Sequence, residues 1–219
     1  MLRRVAAPLL LVLAGASAVS AGEPTERLRA LFGEANRILR QPDPATLEER
    51  LSALRALLGE AFDAREAAAF ALGRAWTART AAERDELARL YTDLVERAYL
   101  GWLGSRVRVG ADGVRVAFDA ERRDGERAVV QTTVDTRDSG EAAIDYRMRR
   151  RDGRWTVHDV VVDGLSLAES YRAQVQRVLQ RGSYADLLAR LHDKALPSTL
   201  LDIARGKRTP TAPPSPVQV

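Results

Sequence analysis

The 219-residue sequence contains no cysteine and only two histidines, His158 and His192. Without cysteine there is no disulfide framework, no thiolate zinc site, no iron–sulfur cluster and no cysteine nucleophile. Two histidines leave little room for a histidine metal site or a hydrolase triad. Aromatic residues supply 5% of the chain while hydrophobic residues supply 46%, so alanine and the aliphatics carry the apolar content. No apolar run approaches the roughly 20 residues that span a bilayer. Charge is abundant but nearly balanced, 34 Lys+Arg against 30 Asp+Glu, with the two signs interleaved. Nucleic-acid binding is therefore not supported, because no basic stripe forms. The composition also excludes a multi-pass membrane protein, a collagen-like chain and a wholly disordered one.

What is present begins with a leader. Arg3 and Arg4 precede an apolar run from Val5 to Leu13, followed by small residues from Ala14 to Ala21. That order is a secretory signal peptide, and residues 1–21 are expected to be cleaved after Ala21. Their loss removes two arginines and no acid, which lowers the net charge from +4 to +2. No cysteine follows the leader, so lipid attachment at a new N-terminal cysteine is excluded. The mature chain reads as soluble and exported. At the other end, KRTPTAPPSPVQV, residues 207–219, is proline-rich and is expected to be disordered.

Between these ends the period of the apolar residues changes twice. Leu28, Leu31, Phe32, Ala35, Ile38 and Leu39 recur at helical steps, as do Leu47, Leu51, Leu54 and Leu58 after the Asp43-Pro44 start signal. Gly59 reads as the end of that second helix. Asp63 with Glu66 and Thr80 with Glu83 have capping-box spacing. The stripe Leu87, Leu90, Tyr91, Leu94, Val95, Ala98, Tyr99 and Trp102 defines a long amphipathic helix. From Val107 the alternation becomes strand-like, through Val114, Val116 and Phe118 and then over 128–136, 142–150 and 154–162. Asp112-Gly113, Asp124-Gly125, Ser139-Gly140 and Asp152-Gly153 mark turns, and such short links make an antiparallel meander. Ser166 with Glu169, and later Ser183, restart helices separated by Gly182. The expected fold is α+β: a curved antiparallel sheet of four to five strands wrapped by amphipathic helices. It forms one domain over 22–206, with a helical part at 23–103, the sheet at 106–163 and C-terminal helices at 166–205.

Few residues offer chemistry. Asp159 is an acid inside an apolar strand, and either a catalytic base in a cavity or a structural carboxylate paired with an arginine such as Arg172 fits it. Asp163 lies roughly 13 Å along the same strand face, too far to share a proton with it. His158 points to the opposite face from Asp159, so the two form no dyad. Arg147, Arg149 and Arg151 make one strand face cationic; this is a solvated outer face or a contact for an acidic partner or lipid phosphates. Val134, Ile144, Tyr146, Met148, Trp155 and Val157 make an apolar sheet surface to be covered by helices. Periodicity does not distinguish a packed core from a ligand cavity at such a surface.

The segment WTVHDVVVDGLSLAESYRAQVQRVLQRGSYADLLARL, residues 155–191, resembles the MlaC family, the periplasmic phospholipid-binding proteins also called toluene-tolerance or auxiliary transport proteins. The likeness lies in Val160–Val162, the Asp163-Gly164 turn, Ser166-Leu167, Tyr171-Arg172, Gln174 and Gly182. IDYRMRRRDGRW at 144–155 is similar to the family's preceding hairpin, and LARLYTDLVERAY at 87–99 to its long helix. His158 departs from the pattern, since family members usually carry an aromatic there. The resemblance implies a carrier rather than an enzyme, with no cofactor and no metal. It implies a monomer in the periplasm of a Gram-negative bacterium, exchanging phospholipid with an inner-membrane ABC complex and an outer-membrane lipoprotein–porin complex. It also implies an apolar pocket lined by Leu94, Ala98, Val134, Ile144, Tyr146, Met148, Trp155, Val157, Val160, Leu167 and Tyr171, with Arg147, Arg149 and Arg151 as contacts for a head group or partner. A carrier of another lipid, such as a hopanoid, is the alternative of the same class. A small-molecule enzyme using Asp159 is the alternative of a different class.

Overall fold

The computed structural model describes residues 23–40, 47–106, 109–110, 113–136, 140–194 and 196. The leader, the Asp43-Pro44 start signal, Asp112, Ser139 and the 207–219 tail lie outside the described residues.

Four helices and a short turn of helix come first: α1 (Glu23–Arg40), α2 (Leu47–Ala61), α3 (Ala64–Leu72), the four-residue α4 (Arg74–Thr77) and α5 (Ala81–Arg106). Capping residues set their starts. Asp63 accepts the Glu66 N–H at 2.9 Å at the head of α3. Thr80 and Glu83 bond reciprocally at the head of α5, and the bonds from Thr80 hold the Glu83 carboxyl below the usual carboxylate range. Gly59 does not end α2, which continues to Ala61. A Cβ there would meet nothing within 4 Å, so the glycine marks no close approach, and the break comes at the Asp63 cap. The long helix likewise continues past Gly101 to Arg106.

A short ribbon of β1 (Val109–Gly110) and β2 (Gly113–Val114) precedes the main sheet. Asn36 of α1 clamps this ribbon, donating to the Val114 carbonyl at 2.9 Å and accepting from its N–H at 2.8 Å. The main sheet is a five-stranded antiparallel meander, β3 (Val116–Asp124), β4 (Arg127–Thr136), β5 (Gly140–Arg151), β6 (Arg154–Val162) and β7 (Leu165–Ser166), in that spatial order. Asp152-Gly153 has φ of 51° and 77°, and Asp163-Gly164 has 48° and 82°. Positive φ at both central residues is the hairpin geometry that matches strand twist. The alternation anticipated the last three long strands, but β3 runs on through the charged Glu121-Arg122-Arg123-Asp124 because it is an exposed edge.

One irregularity governs the site. Arg147 pairs with Asp159 and Met148 pairs with Val157, so His158 is an extra residue in β6. This bulge re-phases the strand. Trp155 and Val157 before it, and Val160 and Val162 after it, all belong to the core, while Asp159 shares a row with Arg147. Beyond β7, α6 (Leu167–Arg181) and α7 (Tyr184–His192) complete the described chain. Ser166 caps α6 by accepting the Glu169 N–H at 3.0 Å, and a Ser183–Asp186 capping box starts α7. Leu28 and Leu31 of α1, Ala68 and Ala71 of α3, Leu94 and Ala98 of α5, and Tyr171 and Val175 of α6 meet the sheet residues in a single apolar core. The fold is α+β, a curved antiparallel sheet carrying its helices against one apolar face.

Candidate functional site

The eleven proposed pocket residues are gathered in that one core, and none is more than 6% exposed. Aromatic side chains sit among them. Phe32 of α1 meets Phe118 and Tyr146 edge-on at 6.1 and 5.8 Å between ring centres, and Tyr91 meets Tyr171 at 5.9 Å. Tyr99 and Tyr146 share a hydrogen bond, and burial pushes the hydroxyls of Tyr91, Tyr99 and Tyr146 up, so all three remain protonated. The interior is apolar apart from these hydroxyls and a few satisfied polar groups, such as Thr132, which donates to the Ile144 carbonyl at 3.0 Å.

The interior opens toward the surface at a cleft between the α2–α3 corner and α5. It is lined by Leu58, Gly59, Phe62, Ala64 and Ala67 on one side and Tyr91, Thr92, Val95 and Glu96 on the other. Its volume is about 70 Å³, against roughly 300–1,000 Å³ for sites that hold a drug-sized ligand. None of the eleven residues read as pocket lining borders this cleft; they are gathered in the core beside it. Glu96 stands at the rim; burial, reinforced by Asp93, raises its pKa against the opposing pull of Arg55.

The three arginines of β5 are bound within the chain. Arg147 donates to Asp159 at 2.9 Å, Arg149 to Glu66 at 2.5 Å, and Arg151 to Asp63 at 2.8 Å and Glu66 at 3.4 Å. Glu66 and Asp63 belong to the head of α3, so Arg149 and Arg151 fasten that helix to β5. The three side chains remain 37–48% exposed, so this face is solvated while its charges are paired within the chain. Asp159 is buried and takes three hydrogen bonds: from Arg147, from the Ser166 hydroxyl at 2.7 Å and from the Ala168 N–H at 2.9 Å. Its arginine is thus Arg147, whereas Arg172 lies over the Phe70 ring at 4.8 Å. Asp159 does not line the cleft. His158, on the bulge, is held below its usual pKa by burial, against the opposing pull of Asp159 and Glu66. His192 contacts Glu86 at 3.3 Å on the surface. Among the described residues no group of His, Asp and Glu is placed to hold a metal ion, and no helix is long and apolar enough to cross a membrane.

Sequence reasoning missed Leu58, Phe62 and Ala67 as a group, together with Thr92 and Glu96. Tyr91 and Val95 were visible in the apolar stripe of α5, but nothing local says which part of that stripe borders a void.

A curved antiparallel sheet closed on one face by helices, with an apolar interior reached by a cleft, defines an α+β protein built around a greasy core rather than around polar machinery. The chain belongs to the MlaC family: the model of that family, described as MlaC protein, matches residues 30–193. A phospholipid-binding protein from Ralstonia solanacearum, solved in complex with a phospholipid, has the same fold. The TM-score is 0.66 at 22% identity, over 79% of this chain and 97% of that one. No curated protein matches the chain.

Proposed function

We propose that this chain is a carrier that takes phospholipid acyl chains into its apolar interior and moves lipid between membrane-bound complexes of the periplasm. The observation that carries this reading is the family membership together with the fold it shares with a protein solved around a phospholipid. The interior suits the task. Two acyl chains of about 30 methylenes would cost roughly 24 kcal/mol to expose to water, so a water-soluble carrier must cover them almost completely. Aliphatic walls do so without fixing chain length or unsaturation. With a cleft of only about 70 Å³, loading requires the helices to part from one another. The eleven core residues named above are the proposed tail contacts. Exchange with an inner-membrane ABC complex and an outer-membrane lipoprotein–porin complex is the proposed route, with residues 1–21 as the export signal.

Solvent extraction of the purified protein followed by mass spectrometry tests this reading. Co-purifying glycerophospholipid is expected, and delipidated protein should take fluorescent phospholipid from vesicles. Hopanoid in the extract would assign the cargo to the other lipid class. Absence of any lipid, with no uptake from vesicles, would overturn the carrier reading.

A further inference from the structure

The seams between the helices and the sheet are closed in different ways. Between α1 and β3, Glu121 accepts from the Thr25 N–H at 3.0 Å and its hydroxyl at 2.5 Å, and Arg29 lies over the Phe118 ring at 4.4 Å. Between α3 and α6, Gln176 donates to the Leu72 carbonyl at 2.9 Å, ending α3 against its neighbour. Between α6 and the sheet stands the buried Asp159 cluster. The α2–α3 corner itself is tied to the open edge of β6, where the Asp63 backbone N–H donates to the Val157 carbonyl at 3.2 Å.

The seam between α2 and α5 is of another kind. From Glu48 to Glu60 no side chain of α2 is buried, and its leucines at 51, 54, 57 and 58 are only half-buried. The helix lies chiefly against α1 and more lightly against α5 and β6. The cleft opens in this seam, with Gly59, Thr92 and Glu96 at its rim and Phe62, Ala67 and Tyr91 at its floor. Ala67 and Tyr91 are core residues, and Phe62 packs on the core beside Val157. A path from solvent to the interior is therefore already begun here, with walls of leucine, valine and aromatic carbon.

Resting on the carrier reading, we propose that this cleft is the port through which an acyl chain enters, and that α2 is the element that swings away to admit it. The tie of Asp63 to β6 leaves the corner as the pivot. The half-buried leucines of α2 then become one wall of the lengthened groove, facing Tyr91, Val95 and the rest of the α5 stripe. Displacing α2 exposes only half-buried leucines and gives up the Arg27 bond to the Glu60 carbonyl at 3.4 Å and the attraction of Arg55 for Glu96, whereas opening the α1–β3, α3–α6 or α6–sheet seam breaks the buried and part-buried bonds named above. Burial already favours the neutral form of the Glu96 carboxyl, which lessens the cost of passing hydrocarbon beside it.

The absence of native cysteine allows a clean test. Leu58→Cys and Val95→Cys, combined in the full chain, place one thiol on each wall. A bis-methanethiosulfonate reagent links them reversibly, and dithiothreitol removes the link. Uptake of a fluorescent phosphatidylethanolamine from vesicles is then followed in linked, reduced and singly substituted protein. Linked protein is expected to lose uptake severalfold or entirely relative to the same double variant with free thiols, and to recover on reduction. The reagent is expected to leave the rate of either single variant where it stood before treatment. Linked protein that loads as fast as reduced protein would overturn the port assignment while leaving the carrier reading intact. Reduced and wild-type protein that both fail to load would instead overturn the carrier reading. A photoactivatable acyl chain gives a second readout: labelling of Leu58, Phe62, Tyr91 or Val95 supports the port, and labelling confined to the Phe32–Phe118 side overturns it.

Discussion

Two helices that follow one another in the chain, α2 and α3, are held in opposite ways. The nine residues of α3 bury Ala67, Ala68, Ala71 and Leu72, and the helix is fastened at its head by Arg149 and Arg151 and at its end by Gln176. Among the described side chains of the fifteen-residue α2, only Ala61, at its end, is buried. Helix propensity does not explain the contrast, since α2 is rich in leucine, glutamate and alanine. Alanine does: where α3 presents the methyl groups of Ala68 and Ala71, its backbone packs close against α5 and α6. Where α2 presents leucines at a distance, contact is looser and a void remains. A carrier needs both behaviours, one helix as frame and one as cover.

The contrast yields predictions of decreasing size. Asp159→Ala strikes the frame, leaving Arg147 without its buried partner and the α6 head without its acceptor. Urea unfolding is expected to show a loss near the lower end of about 3–5 kcal/mol, because Arg147 is partly hydrated. Ala68→Leu adds bulk to a fully buried position on α3 and should cost about 1–3 kcal/mol. Ala53→Leu on the exposed side of α2 should change stability by no more than about 0.5 kcal/mol. Equal costs at the two positions would dissolve the comparison. Hydrogen exchange sharpens it: amides of α2 should exchange through local opening well before those of α3. Gly59→Ala is expected to stabilise by about 0.5–1 kcal/mol, because the position is helical and a Cβ there meets open space.

The smallest effect concerns pH. The folded pKa of His158 lies below its unfolded value near 6.5, so the unfolded chain binds the proton more readily. Stability contributed at neutral pH is then lost as pH falls through that unfolded value toward the folded one. His158→Phe should remove this part of the acid sensitivity, seen as a shallower fall of Tm between about pH 7 and 5. An unchanged slope would place the acid sensitivity elsewhere.

Much of the architecture was legible in the sequence because its signals are local. Ser166-Glu169, Ser183-Asp186 and Thr80-Glu83 act over three residues, and Asp152-Gly153 over two. The partners of Arg149 and Arg151 lie 83 and 88 residues away, so their ion pairs could not be read from the strand that carries them. The bulge escaped for a different reason. In Trp155, Val157, Asp159, Val161 the spacing looks regular, and a single extra residue leaves no trace until the facing strand is known. The core residues were identifiable, because apolar periodicity reports burial. Whether they enclose a void depends on fractions of a methyl group in side chains from several helices, which periodicity does not record. The cleft at Leu58, Phe62 and Tyr91 is such a case.

The bulge also decides which change β6 would tolerate. Counted with His158, Trp155 and Val157 share their parity with Asp159, yet Val160 and Val162 stand with them in the interior, and the ladder absorbs the difference at one place. Drawing the same residues out into a regular ladder would force a choice: either Trp155 and Val157 would turn out to water, or Val160 and Val162 would leave the interior and carry Asp159 inward, away from Arg147. Excising His158 forces none, because Val157 already faces Met148 and Asp159 already faces Arg147. The strand can lose its surplus residue more readily than it can lose the kink that accommodates it.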